Sequence, residues 1–211
     1  MKLKKVSAIC KRSKRYVLYD KPAESGGGEQ WLGDGSAAYL LEGIPRLNED
    51  SLCRMFDISE SQRNNLIIEQ AKVLEGICWG DTDANESKAE GMELGLIYEG
   101  RELLPLMSRE GIIFLDKKYL SPFDSEGEYI GLYQRKTLYG QVYIAVKAGL
   151  LIRGVIFPVE AASDKLINQL GDLFRECRRA NERAKAQPEK GGDSGLSGVR
   201  ASLLRAAKND L

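Results

Sequence analysis

The chain has 211 residues, enough to bury a real core, and its 43% hydrophobic and 29% charged residues suit a folded protein. Thirty-one basic residues meet 31 acidic ones, so no global field draws nucleic acid or anionic lipid to the surface. Histidine is absent, which excludes imidazole general bases, Ser-His and Cys-His nucleophile pairs and imidazole metal sites.

The first fifteen residues carry Lys2, Lys4, Lys5, Lys11, Arg12, Lys14 and Arg15 with no acid among them. Val6 to Cys10 and Tyr16 to Tyr19 read as short strands, being rich in aromatic and β-branched residues. The apolar run near the start is too short for an export signal, and no stretch has the length of a membrane span. A cytoplasmic protein with no membrane partner is therefore expected. Asp20 to Gln30 is a Pro-, Ser- and Gly-rich turn region containing Gly26, Gly27 and Gly28. Trp31-Leu32 and Ala37 to Leu41 form a hairpin about Gly33-Asp34-Gly35. After Ile44-Pro45, Asn48 caps a short helix near 49–56 with Leu52, Cys53 and Phe56 on one face.

Leu66 to Ile68 and Val73 to Leu74 resume an extended pattern, and the polar, acidic run from Asp81 to Gly91 reads as a surface loop joining two halves. Leu96 to Tyr98 pairs with Leu103 to Met107 across Glu99-Gly100. Gly111 to Leu115 is a buried strand, followed by Asp116 to Leu120 and a stop at Pro122. Tyr129 to Tyr133, Gln141 to Lys147 and Leu150 to Phe157 complete an antiparallel meander. Ser163 then caps a long helix whose Leu166, Ile167, Leu170, Leu173, Phe174 and Cys177 form one apolar stripe. Beyond Gln187-Pro188 the chain becomes Gly- and Ser-rich. Val199 to Leu204 has room for a helical turn or two, as a docking motif or within a disordered tail.

The expected fold is α+β, mainly antiparallel. Its parts are a first α+β half over 1–80, an acidic connecting loop over 81–93, a second half over 94–185 ending in an amphipathic helix, and a flexible tail over 186–211. A hairpin, strand, proline and capped helix occur in that order from Gly33 to Phe56 and again from Ala148 to Leu170. This is either a duplication or the recurrence of a common junction.

Cys10, Cys53, Cys78 and Cys177 lie far apart among apolar neighbours and are expected to pack as unpaired small hydrophobes. Asp81-Thr82-Asp83-Ala84-Asn85 starts like a calcium loop but has Glu86 at the glycine position and Met92 at the position of the bidentate glutamate. No phosphate-binding glycine loop is present. No metal, cofactor or catalytic residue is therefore assigned. Asp116 and Lys118, with Glu99 or Glu102, offer the parts of a Mg-dependent nuclease-like site, and equally those of a solvated strand end. The candidate phosphate-binding residues are Lys4, Lys5, Lys11, Arg12, Lys14 and Arg15 in the first block and Arg175, Arg178 and Arg179 on the long helix. Their alternative role is solubility, with cations favoured near a helix C-terminus.

Three segments resemble pieces of DNA sliding clamps, the ring-shaped processivity factors of replicative polymerases. They are Trp31 to Tyr39 with Ile44-Pro45, Phe114 to Leu120, and Gly149 to Val159. Departures include Ser36-Ala37 after Asp34-Gly35, Pro122 soon after Tyr119-Leu120, and Glu49, Asp50 and Asp57 on the first short helix. The whole sequence also resembles small proteins of temperate phages of Gram-positive bacteria, a family that supplies no activity. The clamp resemblance implies a non-enzymatic replication accessory, with duplex DNA and a DNA polymerase as partners. It further implies a homo-oligomeric ring, in the simplest case a trimer, and an apolar partner pocket at Phe157, Pro158 and Val159. The alternatives are a phage protein that binds or inhibits a host protein and, third, the nuclease-like enzyme.

Overall fold

Helix α1, Leu3–Ser13, forms where a strand was expected over Val6 to Cys10. Val6, Ile9 and Cys10 are buried, and their spacing of three and four residues puts all three on one side of a helix. A strand would have sent neighbouring side chains to opposite faces. Lys14 closes the helix in the left-handed conformation (φ 56°), with Lys11 and Arg12 in the last turn beside the negative end of the helix dipole. The computed structural model describes residues 1–22, 28–109, 111–124, 129–159 and 164–186. The Gly26-Gly27 pair, Ser163 and the tail from 187 onward lie outside the described residues.

The remaining elements follow in chain order. Strands β1 (Arg15–Lys21), β2 (Glu29–Gly33) and β3 (Ala37–Leu41) form a meander. Helices α2 (Glu49–Met55) and α3 (Glu60–Arg63) precede strand β4 (Ile67–Lys72). Two-residue strands β5 (Ser87–Lys88) and β6 (Glu90–Gly91) lead to β7 (Leu96–Tyr98), β8 (Arg101–Ser108) and β9 (Gly111–Asp116). A 3-10 helix, Lys117–Phe123, leads into a second meander of β10 (Ile130–Lys136), β11 (Val142–Ala148) and β12 (Leu151–Ile156). Helix α4 is Asp164–Ala186. Among the described residues no helix is long and apolar enough to cross a membrane.

Local chemistry accounts for the junctions. Gly33 has no room for a side chain, since a Cβ there would sit 1.8 Å from the Ala37 carbonyl oxygen, and Gly35 adopts φ 95°. Asn48 and Ser51 form a reciprocal capping box on α2. Glu99 and Gly100 both take positive φ, 49° and 71°, as the tight β7–β8 hairpin requires.

The residues up to 163 form one compact unit and α4 belongs to another. Within the first, an eight-stranded sheet runs β4-β1-β2-β3-β12-β11-β10-β5, antiparallel throughout except for β1 and β4. A smaller sheet holds β6, β7, β8 and β9. The sequence halves 1–80 and 94–185 do not make separate sheets, because β3 pairs with β12 in the middle of the large one, Tyr39 opposite Gly154. Nor is 81–93 only a surface connection, since β5 pairs with β10 and Ala89 is buried.

One face of the large sheet buries Tyr16, Leu18, Leu32, Tyr39, Ile144 and Ile156 against α1, α2, the 3-10 helix and the inner side of the small sheet. The other buries Val17, Tyr19, Trp31, Tyr143 and Val155 under Ile77 and Trp79, with Trp31 and Trp79 meeting edge to face at 4.8 Å. The alternation along β1 shows the period of two that divides its residues between these cores.

Candidate nucleic-acid interface

The apolar stripe that holds α1 on the sheet determines where its cations point. Lys4, Lys11 and Arg12 are exposed on the helix and Lys14 is exposed just after it, and none forms an ion pair with a described residue. Lys5 pairs with Asp124 at 3.0 Å and Arg15 with Glu69 at 2.9 Å, so two of the six predicted residues are engaged. The helix is anchored beside the 3-10 helix by the Lys2 amide, which donates to the Pro122 carbonyl at 2.7 Å. The Ser7 and Tyr16 hydroxyls, 3.0 Å apart, tie it to β1. The outcome is a basic strip on a rigidly seated helix that carries no acid.

The predicted arginines of α4 have a different setting. Arg175 pairs with Asp172, Arg178 with Glu182 at 3.2 Å, and Arg179 with Glu176 at 2.8 Å. Each is matched by an acid one turn away, so this cluster offers little net charge to phosphate.

A groove of about 740 Å³ lies between the end of α1, the β7–β8 turn and the start of the 3-10 helix. It gathers the residues of the nuclease-like reading, Glu99, Glu102, Asp116 and Lys118. Their bonding is already structural. Asp116 is buried and caps the 3-10 helix by accepting from the Lys118 amide at 3.1 Å, while Glu102 holds Lys117 at 2.5 Å. Burial acts to lower the Lys118 pKa, but Tyr119 and Asp116 outweigh it and the net shift is upward. Lys118 is therefore a fixed cation with no role as a base near neutral pH. Among the described residues no three acidic or cysteine side chains come together as a metal site would need.

The three clamp-like segments meet in space. Tyr119 donates to Asp34, Tyr39 donates to the Tyr119 carbonyl at 2.9 Å, and the Phe157 amide donates to the Ser36 carbonyl at 2.8 Å. Phe157, of the predicted partner-binding residues, is half-buried and packs against Tyr143, and a cavity of about 10 Å³ lies beside it. Val159 is held by its amide to the Phe114 carbonyl at 2.8 Å, and Pro158 stands between them, half-buried.

A buried charge cluster escaped the sequence reading. Arg135 is fully buried on β10, and all five of its N–H groups are used, on Glu86 and on the carbonyls of Cys78, Gly80 and Asp81. Lys147 reaches the same carboxylate at 2.5 Å and lies over the Tyr133 ring. The available signal was Lys147 within the otherwise apolar strand β11, a placement that demands an acid from elsewhere in the chain.

No protein-family model, curated protein or solved structure matches the chain.

Proposed function

We propose that the chain is a non-enzymatic accessory of phage DNA replication that holds a polymerase on duplex DNA in the manner of a sliding clamp. The observation that carries this reading is the outward side of α1, where Lys4, Lys11, Arg12 and Lys14 stand exposed with no acid on the helix. A helix that offers only cations follows phosphates without reading bases, and its grip weakens steeply with salt. Further support comes from two three-stranded meanders, one entered from α1 and the other from the 3-10 helix, joined edge to edge through β3 and β12. This is the order a duplicated unit would have. The reading calls for a homo-oligomer around the duplex, either a trimer or a dimer able to close. Fluorescence anisotropy with a short labelled duplex, at about 50 and about 200 mM salt, tests it. Exchanging Lys4, Lys11 and Lys14 together for glutamate should weaken binding more than tenfold and lower the salt slope by about three. Absent duplex binding at the lower salt, or binding unchanged in the triple variant, overturns it.

A second reading, a phage protein acting on a host protein, is favoured by the β10–β11 turn, where Leu138 and Tyr139 are 87% and 82% exposed. Capture of a host protein that is lost when both become serine would support it.

A further inference from the structure

We infer that α4 pairs with α4 of a second copy of this chain as a parallel two-stranded coiled coil. Leu170, Phe174, Cys177 and Asn181 follow one another at intervals of four, three and four residues, the repeat that keeps a seam on one side of a supercoiled helix. Ile167 and Ala184 continue the same spacing in sequence. On this seam Phe174 is 71% exposed, and beside it Leu173 is 60% exposed. An open hollow of about 350 Å³ is lined by Phe174, Cys177, Arg178, Asn181 and Glu182, so its walls include three consecutive seam residues. In an in-register parallel pair this is the hole that receives Cys177 of the facing helix, while Phe174 packs beside the same residue of the other copy.

Charge selects the occupant and its direction. Arg175, Arg178 and Arg179 are balanced within the helix by Asp172, Glu182 and Glu176, which leaves the seam without a claim on an acidic or anionic partner. Gly171, Arg178 and Lys185 flank the seam on one side, Leu173 and Ala180 on the other. Parallel pairing sets each flank against the opposite flank of the second helix, so Arg178 meets uncharged residues. Antiparallel pairing would set the basic flank against itself. Asn181 has a matching role, because an in-register parallel dimer places its amide beside the same amide of the other copy, where donor and acceptor satisfy each other. The seam is short, with Leu170 and Phe174 its large apolar residues among those described, which puts this dimer at the weak, reversible end of specific interfaces.

The test uses the full chain. Light scattering from about 5 to about 500 μM should show the mass rise from 23.4 kDa toward twice that value. Phe174→Glu should restore the monomer while leaving the circular dichroism of the sheet unchanged. In the dimer a short bismaleimide should join Cys177 to Cys177, a product lost in Cys177→Ser and retained in Cys78→Ser. A constant 23.4 kDa overturns the inference and leaves the seam to this chain's own body or to another protein. A dimer that survives Phe174→Glu, or one that yields no Cys177 product, overturns it as well. The inference stands apart from the DNA reading: the triple glutamate variant of the α1 strip should dimerise like the unaltered chain.

Discussion

The Tyr119 hydroxyl donates to Oδ2 of Asp34 at 3.1 Å, joining two buried residues 85 positions apart. Oδ1 of the same carboxylate accepts from the Ser36 and Ala37 amides at 3.0 and 3.1 Å, so one side chain shapes the β2–β3 turn and pins it to the 3-10 helix. Asp34→Ala should cost about 2–4 kcal/mol in urea denaturation, and Tyr119→Phe about 1–2 kcal/mol, because a buried carboxylate that loses a donor has no water to replace it. If the two variants are equally stable, the turn amides contribute little and the assignment fails.

Glu86 is the sole described carboxylate that meets both Arg135 and Lys147, which are 0% and 4% exposed. Glu86→Ala strands two buried cations and should destabilise by about 3–5 kcal/mol, measured as a fall in denaturation midpoint with unchanged slope. Arg135→Met combined with Glu86→Gln should recover part of that loss, since the desolvation burden disappears with the guanidinium.

Asp20 supplies a pH dependence. Burial pushes its carboxyl up, but hydrogen bonds from Gln70, Gln30 and Arg46 outweigh it and hold the group below its ordinary range. A depressed carboxylate contributes stability above its unfolded-state pKa and loses it as pH falls through the folded one. Asp20→Asn should therefore be less stable than the unaltered chain near neutral pH, with the gap narrowing from about pH 4 downward. A gap that stays constant on acidification would show that the bonds act through shape alone.

Thiol reactivity should rank the cysteines. Burial pushes the Cys10 thiol far up, with the Asp34 charge adding to it, and burial likewise raises Cys53. Cys177 is exposed and Cys78 half-buried. In native buffer a coloured disulfide reagent should titrate Cys177 first and Cys78 more slowly, and should reach Cys10 and Cys53 only after denaturation.

What the sequence disclosed was local. The Gly33-Asp34-Gly35 turn, the Asn48 cap and the Glu99-Gly100 hairpin each carry their chemistry within a few residues, and the structure has all three. Val6 to Cys10 misled because a short apolar run fits either period, and the buried set of Val6, Ile9 and Cys10 is fixed by a sheet supplied from the rest of the chain. Polar Glu69, Gln70 and Lys72 hide β4, an edge strand that needs only one covered side. The acidic run holding Asp81 and Glu86 looked like solvated loop because its counter-ion, Arg135, is 49 residues further on from Glu86. The basic strip itself was visible in sequence, but its division into Lys4, Lys11, Arg12 and Lys14, without an ion pair among the described residues, and engaged Lys5 and Arg15 came from Asp124 and Glu69, which no spacing connects to it.

The pairing of β3 with β12 has a consequence for biosynthesis. Strand β3 ends at Leu41 and its partner at Ile156, so during translation the outer side of the first meander stays without its neighbour while the next 115 residues are made. At ordinary elongation rates that is on the order of ten seconds, with Tyr39 and its flanking apolar residues lacking their final cover. A nascent chain stalled before β12 offers an open strand edge to any other such chain nearby, so early termination should yield aggregates instead of a smaller folded product.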